Sequence, residues 1–243
     1  MTKRAPSVVP KKNNKTWLQL LAEILVLLSL AFSIVIWPTN SSSLSSILTM
    51  VFCILIPSKI VQKLKEAKKG NSLYFLQTDR EELGLKNLPT WTDIGLAPIG
   101  FFAYFVLACG LVWTFSSFPW FNVGEIQNVE LNSFLNSLDG LISFLNLVVV
   151  APIAEEIIFR GWLYGKLRNC LLAKLSDRAS MIVSVIIVSI TFGVVHGQLN
   201  AAVNMFAMSV VLCVMREITG TVYSGILMHI IKNGIAFYAI IFA

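Results

Sequence analysis

An all-α, polytopic membrane bundle of about seven transmembrane helices (six to eight), with an active site in an intramembrane cavity, is the fold this sequence predicts. Three observations predict it. Of 243 residues, 56% are hydrophobic and 13% charged, and the mean hydropathy is +0.75, more apolar side chain than a soluble domain of this size can hide. The apolar residues gather into seven runs near the length of a bilayer crossing. Lys and Arg fall in alternate connections between those runs, as the positive-inside rule requires of a polytopic chain.

In order, residues 1–15 form a basic tail with Lys3, Arg4, Lys11, Lys12 and Lys15 and no acid. The remainder, 16–243, is expected to be one transmembrane domain. Its spans are placed at Trp17–Trp37, Leu44–Ile60, Ile94–Phe115, Gly140–Phe159, Met181–His196, Ala201–Met215 and Tyr223–Phe242. The first is too long for an ordinary signal-peptide core and is read as a retained anchor, and Glu23 within it as an interfacial or packed charge. Basic residues follow the second span (Lys59 to Lys86) and the fourth (Arg160, Lys166, Arg168, Lys174, Arg178), whereas Pro38–Ser43, Ser116–Asp139 and Gly197–Asn200 have none. This pattern sets the N-terminus in the cytoplasm. The net charge of +6 is then topological, which argues for a lipid bilayer as partner and against nucleic acid. Asp79–Leu85 reads as a short surface helix closed by Gly84. The loop with Phe118, Pro119, Trp120 and Phe121 reads as an interfacial aromatic belt. Cys53, Cys109, Cys170 and Cys213 are scattered without disulfide or metal spacing.

The residues able to do chemistry lie in the region 140–243. Glu155-Glu156-Ile157-Ile158-Phe159-Arg160 ends an apolar run, where a charge costs about 2.5–3.5 kcal/mol and is a functional candidate by default. On a helix Glu156 and Arg160 are i and i+4 and can pair, whereas Glu155 lies about 100° round the axis and stays free for chemistry. The chain's two histidines, His196 and His229, both sit in or at the end of apolar runs. Phe192 precedes His196 by four residues and can pack on its ring; Asn233 follows His229 by four, setting an imidazole and a carboxamide on one helix face. Facing donors of that kind can hold an oxyanion.

Glu155-Glu156-x-x-x-Arg160, Phe192-x-x-x-His196 and His229-x-x-x-Asn233, in that order, resemble the CAAX-protease and bacteriocin-processing family of intramembrane endopeptidases, which includes the Ras-converting prenyl-protein proteases. The motifs span about 148–233, and Leu83-Gly84-Leu85 is similar to the family as well. The resemblance implies that Glu155 and His196 activate a water, that Asn233 and His229 steady the oxyanion, and that Glu156 with Arg160 braces the site. No cofactor is then needed. The alternative is a zinc enzyme with Glu155, His196 and His229 as ligands, although the chain has no His-Glu-x-x-His element. A second class of function, bacteriocin self-immunity or a membrane scaffold without catalysis, predicts an effect that survives Glu155→Gln. A proton-coupled transporter is disfavoured by the absence of repeated halves.

The expected substrate is a peptide or protein at the membrane, prenylated or not, and the expected location is a bacterial plasma membrane. Oligomeric state is left open. Two points stand out against a bundle of simple parallel rods. Glu155 falls near the inner end of its expected span, whereas His196 falls about 23 Å along the next one, and Lys232 places an ammonium beside Asn233, read as salt-bridged or snorkelling.

Overall fold

The computed structural model describes residues 80–85, 88–124 and 144–242. The expected basic tail, the first two spans, Glu23 and Cys53 lie outside the described residues, and with them the orientation read from the N-terminal charges. Among the described residues every regular element is helical. We label them α1 (Trp91–Phe115), α2 (residues 144–172), α3 (Asp177–Val194), α4 (Leu199–Thr219) and α5 (Tyr223–Phe242). Three of them, α1, α3 and α4, are long and apolar enough to cross a membrane. This is a membrane protein.

Helix α1 starts where Thr90 and Asp93 form a reciprocal capping box, the Thr90 N–H donating to Asp93 Oδ2 at 2.8 Å. Its buried residues, Asp93, Ala97, Gly100, Tyr104 and Ala108, recur every three or four positions and so form a single stripe. Small residues in that stripe let neighbours come close: a Cβ on Gly100 would fall 2.4 Å from the Met215 sulfur of α4. Tyr104 donates its hydroxyl to Asn204 Oδ1 of α4 at 2.6 Å. The other faces carry Ile99, Phe102, Phe105, Val106 and Trp113, all exposed, which is the composition of a lipid-facing surface. At the end of the helix Phe115, Phe118, Trp120 and Phe121 cluster, with Phe118 stacked on Trp120 and Phe115 meeting the others tilted or edge-on.

The expected fourth span, Gly140–Phe159, ends too early. The structure continues the helix without a break to Leu172, so Arg160 is not a loop residue; it is buried at 1% exposure inside α2. This removes the depth mismatch. Counting back from the α2–α3 turn, Glu155 is about 25 Å into α2 and Phe192 roughly 22 Å into α3, at 1.5 Å per residue. Antiparallel neighbours joined by a short turn therefore bring the two to the same level. Helix α3 opens on a Ser176 N-cap accepting from Ala179 N–H and buries Ser180, Ser184, Val188 and Phe192 on one face. Gly193 allows the α3–α4 hairpin to close, since a Cβ there would lie 2.6 Å from the Ala202 carbonyl oxygen.

The segment before α1 also departs from expectation. Instead of a surface helix, residues 80–84 are a turn docked on the bundle. Leu85 N–H bonds Arg80 O at 2.7 Å and Gly84 N–H bonds Glu81 O at 3.0 Å, the paired bonds of a Schellman motif with Gly84 left-handed at φ 72°. Glu82 accepts from Lys166 Nζ at 2.7 Å, and its carbonyl accepts from Arg216 Nη2 at 2.9 Å. Gly161 makes room for Leu83, whose carbonyl would lie 3.0 Å from an added Cβ. The same end of the bundle is tied by Arg168, which pairs with Asp177 at 2.6 Å and Glu217 at 2.9 Å. Of the described cysteines, Cys109 and Cys170 are exposed and Cys213 is buried; all three are free.

Candidate active site

Helix α2 is irregular on both sides of its two glutamates. Asn146–Val150 and Ile157–Leu163 are π-helical, and the α-helical turn Ala151–Glu156 lies between them. Such widened turns are rare and concentrate at functional sites. Pro152 gives a local reason for the first. It has no N–H, and the Ala151 N–H goes to Asn146 O, so the Leu147 carbonyl has no donor five residues on. Asn233 of α5 supplies one: its Nδ2 donates to Leu147 O at 2.9 Å. One of the two Asn233 N–H bonds is thereby committed and the second remains. Neither Pro152 nor the π turns enter the sequence reading of the site. The visible signal is a proline within an apolar run, three residues ahead of a carboxylate.

The two glutamates have different surroundings. Glu156 is fully buried, and its Oε1 accepts from Arg160 Nη1 and from His229 Nδ1, each at 3.0 Å. The Arg160 guanidinium lies over the Phe192 ring, 4.3 Å from its centroid, close enough for a cation–π contact. That ring in turn meets Phe159 edge-on at 4.9 Å, His196 at 4.9 Å and His229 at 6.2 Å. Phe192 thus touches both imidazoles and the arginine. Glu155 is 7% exposed, and its Oε2 is buried with no hydrogen-bond partner; His229 Nε2 lies 3.7 Å from it. The ion pair has formed at Glu156, and Glu155 has been left out of it.

Hydrogen bonding assigns the tautomers of both histidines. His196, two residues beyond α3, has Nδ1 2.7 Å from the Phe192 carbonyl. A carbonyl only accepts, so Nδ1 carries the proton and Nε2 presents a lone pair. His229 Nδ1 likewise donates to the Glu156 carboxylate, and its Nε2 points at Glu155. The positive φ of Gly197, 76°, turns the chain immediately after His196 and lets α4 double back beside it.

Gly225 sets how closely α5 approaches. A Cβ there would lie 3.0 Å from Glu156 Oε2 and 3.4 Å from Leu212, tighter than a buried carboxylate held on two sides can yield. Gly225→Val is therefore expected to push Glu156 off His229 and reduce the activity of the site at least tenfold, the loss typical of an ångström-scale misplacement. Gly225→Ala is expected to be milder. Initial rates of the two purified variants against wild type check this.

A zinc site was an alternative at sequence level, and the donor types of Glu155, His196 and His229 suit zinc. Among the described residues, however, no three His, Cys, Asp or Glu side chains stand together as an ion-holding group. No step below passes through a metal. Lys232, expected to be salt-bridged or snorkelling, has no carboxylate within ion-pair distance among the described residues; its Nζ lies 3.9 Å from the Met205 sulfur. Asn146, which the motifs omit, is buried with an unpaired Oδ1. In comparison with known proteins, residues 137–235 match the family model Rce1-like, described as type II CAAX prenyl endopeptidase Rce1-like. Searches of the curated proteins and of the solved structures returned no match.

Proposed function

Because the chain belongs, through residues 137–235, to the Rce1-like family of type II CAAX prenyl endopeptidases, we propose that it hydrolyses a peptide bond within the bilayer by a water activated between Glu155 and His196. The observation that carries this reading is the unequal treatment of two adjacent glutamates. Glu156 Oε1 accepts from both Arg160 and His229, while Glu155 accepts from neither, and its Oε2, like that of Glu156, is buried with no hydrogen-bond partner. An unpaired buried carboxylate is costly and tends to be retained for chemistry.

The steps follow from the acceptors and donors in place. A water gives one hydrogen bond to Glu155 and one to the free Nε2 of His196, which leaves an oxygen lone pair aimed at a substrate carbonyl. As that oxygen bonds the carbonyl carbon, a water proton passes to Glu155 and the C=O electron pair moves onto oxygen. His229 in its imidazolium form, which keeps the Nδ1 proton on Glu156 and carries a second on Nε2, and the second N–H of Asn233 donate to that oxyanion. Collapse restores the C=O, breaks the C–N bond and returns the proton from Glu155 to the leaving amine. Glu156 and Arg160 act through others: they fix the His229 tautomer and the Phe192 ring.

The protein reconstituted in liposomes with a peptide ending in S-farnesylcysteine and three further residues tests the proposal. Mass spectrometry of the products is expected to find one cleaved bond with wild type and no cleavage with His196→Ala that is equally well inserted. Cleavage by that variant at the wild-type rate contradicts the mechanism.

A further inference from the structure

Asn146 is buried at 5% exposure in the first π turn of α2, its Oδ1 meets no hydrogen-bond donor among the described residues, and the proposed mechanism does not use it. A buried acceptor without a donor costs stability and calls for a reason. The widened turn decides where this side chain stands. In an unbroken α-helix nine residues make about two and a half turns, which would set Asn146 on the face opposite Glu155. Here the Ala151 N–H bonds the Asn146 carbonyl, a turn of five residues, and Ala151 to Glu155 is an ordinary α turn of four. Asn146, Ala151 and Glu155 are therefore spaced by whole turns, as i, i+4 and i+8 are on a regular helix, and share one face.

Contacts with α5 fix the level of Asn146. Glu155 Oε2 stands 3.7 Å from His229 Nε2, Leu147 O is 2.9 Å from Asn233 Nδ2, and the Phe144 ring centroid is 5.0 Å from that of Phe237. The two helices thus run antiparallel, and Asn146 directly precedes the residue whose carbonyl Asn233 holds, two turns or roughly 11 Å from Glu155. An extended peptide covers that distance in about three residues at 3.3–3.6 Å each. The peptide itself supplies the missing donor. Drawn into the bilayer for hydrolysis, it brings backbone N–H groups that water no longer satisfies, and each is costly until an acceptor meets it. Resting on the peptidase reading above, we propose that Asn146 is a substrate-binding residue whose Oδ1 accepts a backbone N–H of the peptide about three residues from the scissile bond. The first π turn then has a purpose: it brings this acceptor round to the face of the proposed base.

The test uses the full-length protein in liposomes and the farnesylated peptide extended upstream of its cysteine. Each amide other than the cleaved one is replaced in turn by an ester, which removes a single N–H. Wild type is expected to lose about 3- to 10-fold in kcat/KM, mainly through KM, at one position about three residues from the cut, the worth of one neutral hydrogen bond. Asn146→Leu is expected to lose the same factor on the all-amide peptide and nothing further on that ester, so that the two losses do not add. Asn146→Asp keeps an acceptor oxygen and is expected to keep the ester penalty. Thermal unfolding gives a second readout: Asn146→Leu removes an acceptor that the fold leaves unpaired and is expected to melt no lower than wild type. No ester penalty about three residues from the cut in wild type, or a penalty that survives Asn146→Leu, overturns the assignment. Binding of the amide and ester peptides with the scissile amide reduced to an amine separates the two readings. Amide-selective binding that needs Asn146, in a protein that cleaves nothing, upholds the Asn146 site and rejects the peptidase; cleavage with no ester penalty linked to Asn146 does the reverse.

Discussion

The Glu155→Gln variant is expected to cleave peptide about 10²- to 10⁴-fold more slowly than wild type, the range for losing a positioned general base, with the helices and their packing intact. Glutamine is close in size to glutamate, and no hydrogen bond at Oε2 is broken, so little of the fold depends on the charge. The neighbouring position provides the contrast. Glu156→Gln removes an anion that holds Arg160 and His229 together at 3.0 Å on each side, and both turnover and stability are expected to fall. Rates and thermal unfolding followed by tryptophan fluorescence, for the two variants side by side, separate the roles. An effect in cells that survives Glu155→Gln in full instead points to the non-catalytic immunity or scaffold reading.

Arg160→Met is expected to produce the largest loss of stability of any single change in the site, about 3–5 kcal/mol, because it strands a fully buried carboxylate. It also removes the cation from the face of Phe192, and with it one constraint on the ring that contacts both histidines. Pairing it with Glu156→Leu distinguishes the two consequences. Replacing a buried ion pair by apolar side chains is often neutral for stability, so the double variant is expected to melt near wild type. It is nevertheless expected to stay inactive, since His229 Nδ1 then has no carboxylate to fix its tautomer. Recovery of both stability and turnover would mean that the pair serves packing alone.

The motif residues were legible in the sequence because they depend on local geometry. The i, i+4 spacing of Glu156 and Arg160 brings them together on the helix, and that of Phe192 and His196 does so even though His196 lies in the turn just past α3. The level of the site was not legible. A charged Arg160 after an apolar run reads as the start of a loop, and only the partners on other helices, Glu156 and the Phe192 face, reveal it as an interior residue. Long-range compensation was hidden in the same way. That Pro152 frees a carbonyl is local information, but that Asn233, more than eighty residues later, satisfies it is not. The turn at 80–85 was read as a surface helix because Arg80 and Glu81 do face water, while Glu82 docks it, its carboxylate meeting Lys166 and its carbonyl meeting Arg216. Gly84 as the closing residue was correctly marked by its type, since a left-handed φ favours glycine.

The central claim is that Glu155 and His196, without a bound metal, drive hydrolysis. Its most direct test is the turnover of farnesylated peptide by wild-type and Glu155→Gln protein in liposomes, each purified and assayed in excess chelator, with metal content measured in the same samples. The account predicts single-site cleavage by metal-depleted wild type at its untreated rate and a loss of about 10²-fold or more with Glu155→Gln. Activity that disappears with chelator and returns on adding Zn²⁺, or a Glu155→Gln rate equal to wild type, would contradict it.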